Sequence, residues 1–175
     1  LLDARFETIA IDLPGHGRSP VPEDPAAYRR DIVLAELDTL IAGLDRRPVL
    51  VGHSLGGYLA LAYAATRPGH ARGLVVLNTG PGYRDPVKRE QWNERSRRNA
   101  HRFGVPVQAA ELNLQEDSVV MERLAEMSEP TLVLAGSLDR PEYASSGDYL
   151  ARKMPNARVE IVAAVGALGL VSVAV

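Results

Sequence analysis

Gly52-His53-Ser54-Leu55-Gly56 lies between an apolar run, Pro48-Val49-Leu50-Val51, and a stretch of helical pattern from Leu55 to Thr66. A G-x-S-x-G sequence in that setting dictates a sharp strand-to-helix turn. The central serine takes a strained backbone conformation, for which glycines two positions to either side leave room. Such a turn restricts the chain to folds in which a strand runs directly into a helix. Without the flanking strand and helix the five-residue pattern arises readily by chance.

The rest of the chain is consistent with that restriction. Phe6 to Asp12 reads as a short apolar strand closed by the turn-forming Leu13-Pro14-Gly15-His16-Gly17-Arg18-Ser19-Pro20. A loop follows to about Tyr28. From Asp31 to Leu44, Val33, Leu34, Leu37, Leu40, Ile41 and Leu44 recur at helical spacing and predict an amphipathic helix. Gly73 to Leu77, Thr131 to Ala135 and Arg158 to Val162 are further strand candidates. Short, continuously apolar strands alternating with helices predict an α/β fold whose mostly parallel sheet is covered by helices on both faces.

At 175 residues and 46% hydrophobic composition, the chain is long enough for one domain with a substantial core. A formal net charge of -2 with evenly mixed signs argues against general nucleic-acid binding. Cysteine is absent, which excludes disulfides and thiolate metal sites and fits a reducing, cytoplasmic compartment. No cofactor or metal-binding motif occurs. Leu1 to Phe6 resembles the end of a helix, and further sequence upstream is expected.

Between Tyr83 and Pro130 the composition changes. Lys88-Arg89-Glu90, Glu94-Arg95, Arg97-Arg98 and His101-Arg102 crowd one predicted helix, and a second is predicted around Ser118 to Met127. The interleaved acids and scarce aromatics do not make a nucleic-acid patch. The segment reads either as solvated helices with charge pairs or as a helical lid inserted over a substrate cleft, with Trp92 facing the acyl pocket or packing the lid. The domain organisation expected is a core with the turn (1–82), a lid (83–129) and completion of the sheet (130–175).

Three stretches carry a resemblance to a known family. Phe6 to Ser19 resembles the strand and D-x-P-G-H-G-x-S loop of the α/β-hydrolases of the lipase, esterase and carbon-carbon hydrolase group. Val51-Gly52-His53-Ser54-Leu55-Gly56-Gly57 resembles their nucleophile elbow, and Pro130 to Asp139 the strand whose end presents the triad acid. The resemblance implies a partial α/β-hydrolase fold with a short helical lid, acting on small acyl substrates. Ser54 is then the nucleophile of an acyl-enzyme reaction, and the Leu55 N–H, at the helix amino end, is half of the oxyanion hole. The other half is implied to come from an H-G loop upstream of Leu1. Asp139 is the candidate acid, ahead of Asp12, which closes a strand, and Asp148, read as lying near a helix start.

The resemblance also places a histidine after the last strand. The chain reads Ala163-Ala164-Val165-Gly166-Ala167-Leu168 there, so Ala167 occupies the aligned position, and no histidine follows Asp139. Loss of the general base predicts a rate lower by several powers of ten. Of the four histidines, His53 is expected to pack or cap, His70 to be solvated and His101 to belong to the charged helix. His16, on a loop at the same rim, is the candidate substitute base. Ile161 to Val175 holds no charged residue, falls short of a membrane span of about twenty residues, and is a candidate for self-association. The expected function is therefore an impaired serine hydrolase of small carboxylic esters, truncated at both ends. The alternatives are a non-catalytic fragment, pseudoenzyme or interaction module, or carbon-carbon hydrolase or menaquinone-pathway-like lyase chemistry. A serine elbow argues against epoxide hydrolases, whose elbow carries aspartate by family pattern.

Overall fold

Apolar runs of five or six residues can satisfy their backbone groups only by pairing, and four of them do so in one parallel sheet. The computed structural model describes residues 6–104, 106–139, 141–164 and 166. Its strands are β1 (Val49–His53), β2 (Gly73–Leu77), β3 (Thr131–Gly136) and β4 (Ala157–Val162), adjacent in chain order. Among the described residues five α-helices accompany them: α1 (Arg30–Ala42), α2 (Leu55–Thr66), α3 (Pro86–Asn99), α4 (Val119–Arg123) and α5 (Pro141–Lys153). All three strand pairs are parallel, so every strand ends on the same rim. Among the described residues no helix is long and apolar enough to cross a membrane.

The two faces of the sheet differ. On one, Leu74, Val76 and Val133 are almost wholly buried under α2 and α5. Helix α2 is apolar on all sides, and Gly57 to Ala65 are buried without a break, which makes it the centre of the core rather than a surface helix. On α5, Gly147 allows close approach to the sheet: a β-carbon there would lie 3.1 Å from Val159 Cγ2. The opposite face carries the cross-strand row Val51, Val75, Leu132 and Arg158, and Val51 is 63% exposed. The expectation of helices on both faces is thus corrected: within the described residues one face is open.

Phe6 to Asp12 is the second correction. It takes no place in the sheet, and Phe6, Ile9 and Ile11 are exposed. Strand propensity is only a tendency to fit a half-buried, paired surface, and without a neighbouring strand it is not expressed. The predicted helix at 31–44 forms at Arg30–Ala42. Its predecessor was not foreseen: Pro25–Tyr28 makes a 3-10 turn that buries Tyr28 completely, with Tyr28 Oη donating to the Pro22 carbonyl.

The segment between β2 and β3 is helical, as its composition suggested. Helix α3 starts on Pro86, with the Asp85 carboxylate accepting from the Val87 and Lys88 N–H groups, and ends with Arg97 and Arg98 in its last turn. Instead of one helix over Ser118 to Met127, α4 gives way to a 3-10 turn at Leu124–Glu126. Buried Val120 and Leu124 anchor this part on the hydrophobic core that includes α2.

Candidate active site

Strand β1 leads directly into α2 through Ser54, which has φ 50° and ψ -113°. An L-residue is strained at that φ, and the surroundings hold it there. The Ser54 N–H donates to the Leu77 carbonyl of β2 at 2.9 Å, and the Ser54 carbonyl accepts from the Tyr58 N–H at 3.0 Å. The side chain is exposed rather than packed. Of the two glycines flanking Ser54, only Gly52 is sterically compelled: a β-carbon there would lie 2.2 Å from the Gly56 carbonyl oxygen. One at Gly56 would meet nothing within 4 Å, whereas one at Gly57 would lie 2.6 Å from Thr79 Cγ2. The sequence reading assigned to Gly56 a constraint that belongs to Gly57.

Ser54 and Leu55 open into a cleft of about 190 Å³ lined also by Tyr58, Asn78, Trp92 and Gln115. Leu55 N–H belongs to the first turn of α2, where donors lack an intrahelical carbonyl and the helix dipole is positive. Trp92 has two kinds of contact. It lines the cleft, and it is pinned within the segment by Nε1–H donating to the Asn113 carbonyl at 3.0 Å. Gln115 and Asn93 hold the same wall by a reciprocal pair, Gln115 N–H to Asn93 Oδ1 at 2.8 Å and Asn93 Nδ2 to the Gln115 carbonyl at 3.2 Å.

Asp139 stands on the turn after β3. Its Oδ2 accepts from the Gly136 N–H at 3.1 Å. With β2 between β1 and β3, two strand spacings of about 4.8 Å separate the strand ends that carry Ser54 and Asp139, too far for a direct hydrogen bond. The chain after β4 returns to this turn: Ser137 N–H donates to the Val162 carbonyl, and Ala164 N–H to Ser137 Oγ, each at 2.9 Å. A β-carbon on Gly166 would lie 3.8 Å from Asp139 Oδ1. The position after Gly166, where the resemblance implied a histidine, and the remainder of the apolar tail lie outside the described residues.

The other candidates take structural places. His16 is half-buried, with Nδ1 3.0 Å from the Pro14 carbonyl oxygen, and it does not line the cleft with Ser54. His53 ends β1 and is half-buried, while His70 and His101 are exposed. Asp12 closes its own loop, accepting from the Arg18 N–H at 3.0 Å. Asp148 sits in the interior of α5, not near its start.

Two features escaped the sequence reading. Asn78 follows β2 at φ 52° and is only 3% exposed, with Oδ1 unpaired among the described residues. The signal available was its place: a polar residue directly after an apolar strand, on the rim shared with Ser54. The second is the Arg30 guanidinium, buried at the start of α1, which donates to Asp117 Oδ1 at 3.0 Å and to Tyr58 Oη at 3.3 Å. It thereby ties α1 and the cleft-lining Tyr58 to the segment between β2 and β3. Burial acts to raise the Asp117 carboxyl, but hydrogen bonds from Arg30 and the Val119 N–H outweigh it and hold the group below its ordinary range.

A lowered carboxyl contributes stability that is present above the unfolded value of about 3.9 and is lost as pH falls through the folded value. Asp117→Asn is accordingly expected to destabilise at neutral pH and to matter less in acid. Thermal melts at about pH 7 and pH 3 check this, and an equal deficit at both would refute it.

A family profile described as alpha/beta hydrolase fold matches residues 1–109. The chain is 42% identical to epoxide hydrolase 3 of Xenopus tropicalis over 74 residues, which are 42% of this chain and 20% of that protein. It is 31% identical over 131 residues to the 2-succinyl-6-hydroxy-2,4-cyclohexadiene-1-carboxylate synthase of Enterobacter sp. (strain 638), covering 67% of this chain and 50% of the synthase. The matched stretches thus span half or less of these relatives' lengths. Among solved structures, a thermophilic esterase from Thermogutta terrifontis superposes with TM-score 0.68 at 26% identity, over 90% of this chain and 71% of that one. The profile covers well over half of the sequence, the elbow included, and the chain belongs to the alpha/beta hydrolase fold family.

Proposed function

We propose that the chain is the nucleophile-bearing part of a serine hydrolase for small carboxylic esters or related acyl compounds. The observation that carries this reading is Ser54, exposed in a strained left-handed conformation at the mouth of a cleft, beside the first-turn N–H of Leu55. Ser54 Oγ attacks the acyl carbon, the alcohol leaves, and water later releases the acid from the acyl-enzyme. Leu55 N–H faces the oxyanion at the positive end of α2. Asp139 is the acid that would orient a base, and residues 83–129 form the lid. Ala167 stands where the resemblance implies the base, and His16 stands apart from the cleft, so proton transfer from Ser54 is the impaired step.

The relatives include an epoxide hydrolase and a carboxylate synthase. Ser54 in place of a carboxylate at the elbow favours acyl chemistry over epoxide opening, while the lyase type of chemistry keeps the same nucleophile. Prolonged incubation with p-nitrophenyl acetate is expected to leave an acetyl group on the peptide that contains Ser54, detected by mass spectrometry and absent from Ser54→Ala. Acetylation confined to other residues would defeat the proposal. It would favour the second reading, a non-catalytic interaction module, to which the open sheet face at Val49 and Val51 lends support.

A further inference from the structure

The cleft that exposes Ser54 is walled on its α3 side by Trp92 and Arg95. The Arg95 guanidinium carbon lies 4.9 Å from the centre of the Trp92 ring. That ring is fixed in turn by its bond to the Asn113 carbonyl and by Tyr83, whose ring centre is 6.0 Å away. A guanidinium held over an aromatic ring by cation–π attraction still has N–H donors to present to a carboxylate. Stacking also restricts the side chain before any ligand arrives, which lowers the ordering cost of binding.

Arg95 has no carboxylate within ion-pair distance among the described residues. Elsewhere, Arg97, two positions along the helix, is paired with Glu90 at 3.1 Å, and Arg30 with Asp117. The rest of the lining points the same way. The cleft is smaller than the roughly 300–1,000 Å³ of pockets that enclose drug-sized ligands. Its wall mixes the polar side chains of Asn78, Asn113 and Gln115 with the apolar surfaces of Leu55, Tyr83 and Trp92.

We propose that Arg95 is a specificity-determining residue, selecting short acyl compounds that carry a carboxylate beyond the reacting carbonyl. This rests on the reading of Ser54 as the acyl nucleophile for its reaction, though not for its binding. An ester of a short dicarboxylic acid, with one end free, is the substrate class: the free carboxylate docks on Arg95 while the ester carbonyl faces Ser54.

Trp92 is the chain's single tryptophan, so its fluorescence reports ligands at Arg95 directly. Monomethyl succinate and its neutral isostere methyl succinamate are the probes, titrated into the whole chain at low salt. The acid is expected to give a saturable change at least tenfold tighter than the amide, and added salt is expected to weaken it. Arg95→Gln is expected to abolish the preference and Arg95→Lys to retain part of it. Equal responses to acid and amide, no response to either, or an unchanged preference in Arg95→Gln would each overturn the proposal. Acid binding without acetylation of Ser54 would sink the hydrolase reading alone, and acetylation without acid preference would sink the Arg95 reading alone.

Discussion

Gly52→Ala is expected to destabilise the chain by about 3 kcal/mol or more, lowering the melting temperature by roughly 6–12 °C for a domain of this size. The new β-carbon would sit 2.2 Å from the Gly56 carbonyl oxygen, 2.3 Å from its carbon and 2.5 Å from Gly57 N. All three are backbone atoms of the first turn of α2, so no side chain can rotate away. Relief requires β1 and α2 to separate, and Gly57 to Ala65 of α2 are buried without a break. Gly56→Ala is the control. It meets nothing within 4 Å and replaces a helical glycine, so it is expected to be neutral or to stabilise by up to about 1 kcal/mol. Urea or thermal unfolding of the two variants measures the contrast. A Gly52→Ala chain as stable as its parent would show that the turn is not built as described.

Ala167→His is expected to raise Ser54-dependent hydrolysis of a short p-nitrophenyl ester by at least about a hundredfold, the lower end of what a positioned general base contributes. The members of a triad act as a unit. Where the base is missing, removal of the serine costs little further rate, and comparison of the parent chain with Ser54→Ala alone is a weak assay of turnover. Restoring the base reverses that. The acid turn and the segment before Ala167 already meet, through the bonds of Ser137 to Val162 and Ala164 and the approach of Gly166 to Asp139. The comparison that decides is Ala167→His in the presence and absence of Ser54→Ala. A rise of the same size in both, or in neither, would remove Ser54 from the proposed chemistry.

Much of this site was legible in one stretch of sequence because its causes are local. The strand, the turn and the helix around Ser54 are contiguous, and backbone sterics at Gly52 and the unpaired first-turn donors of α2 follow from neighbours a few positions apart. Asp139 was legible for the same reason, as a turn residue closing an apolar strand. What failed depended on distant partners. Phe6 to Asp12 has a strand's composition and, among the described residues, no strand beside it. Gly57, not Gly56, is compelled, because Thr79 comes close only once β2 has packed beside β1.

The sequence by itself determined the sharp turn at Ser54, the parallel order implied by strands alternating with helices, and an alanine rather than a histidine at position 167. Each rests on residue type and short-range spacing. Only the tertiary structure decided that Asn78, Trp92 and Arg95 wall the serine's cleft, that His16 does not, and that Arg30 reaches across 87 positions to Asp117. Those meetings depend on which helix lies on which face of the sheet. That placement is set by burying α2 and α5 against the strands, a balance summed over the whole core that no short window of sequence contains.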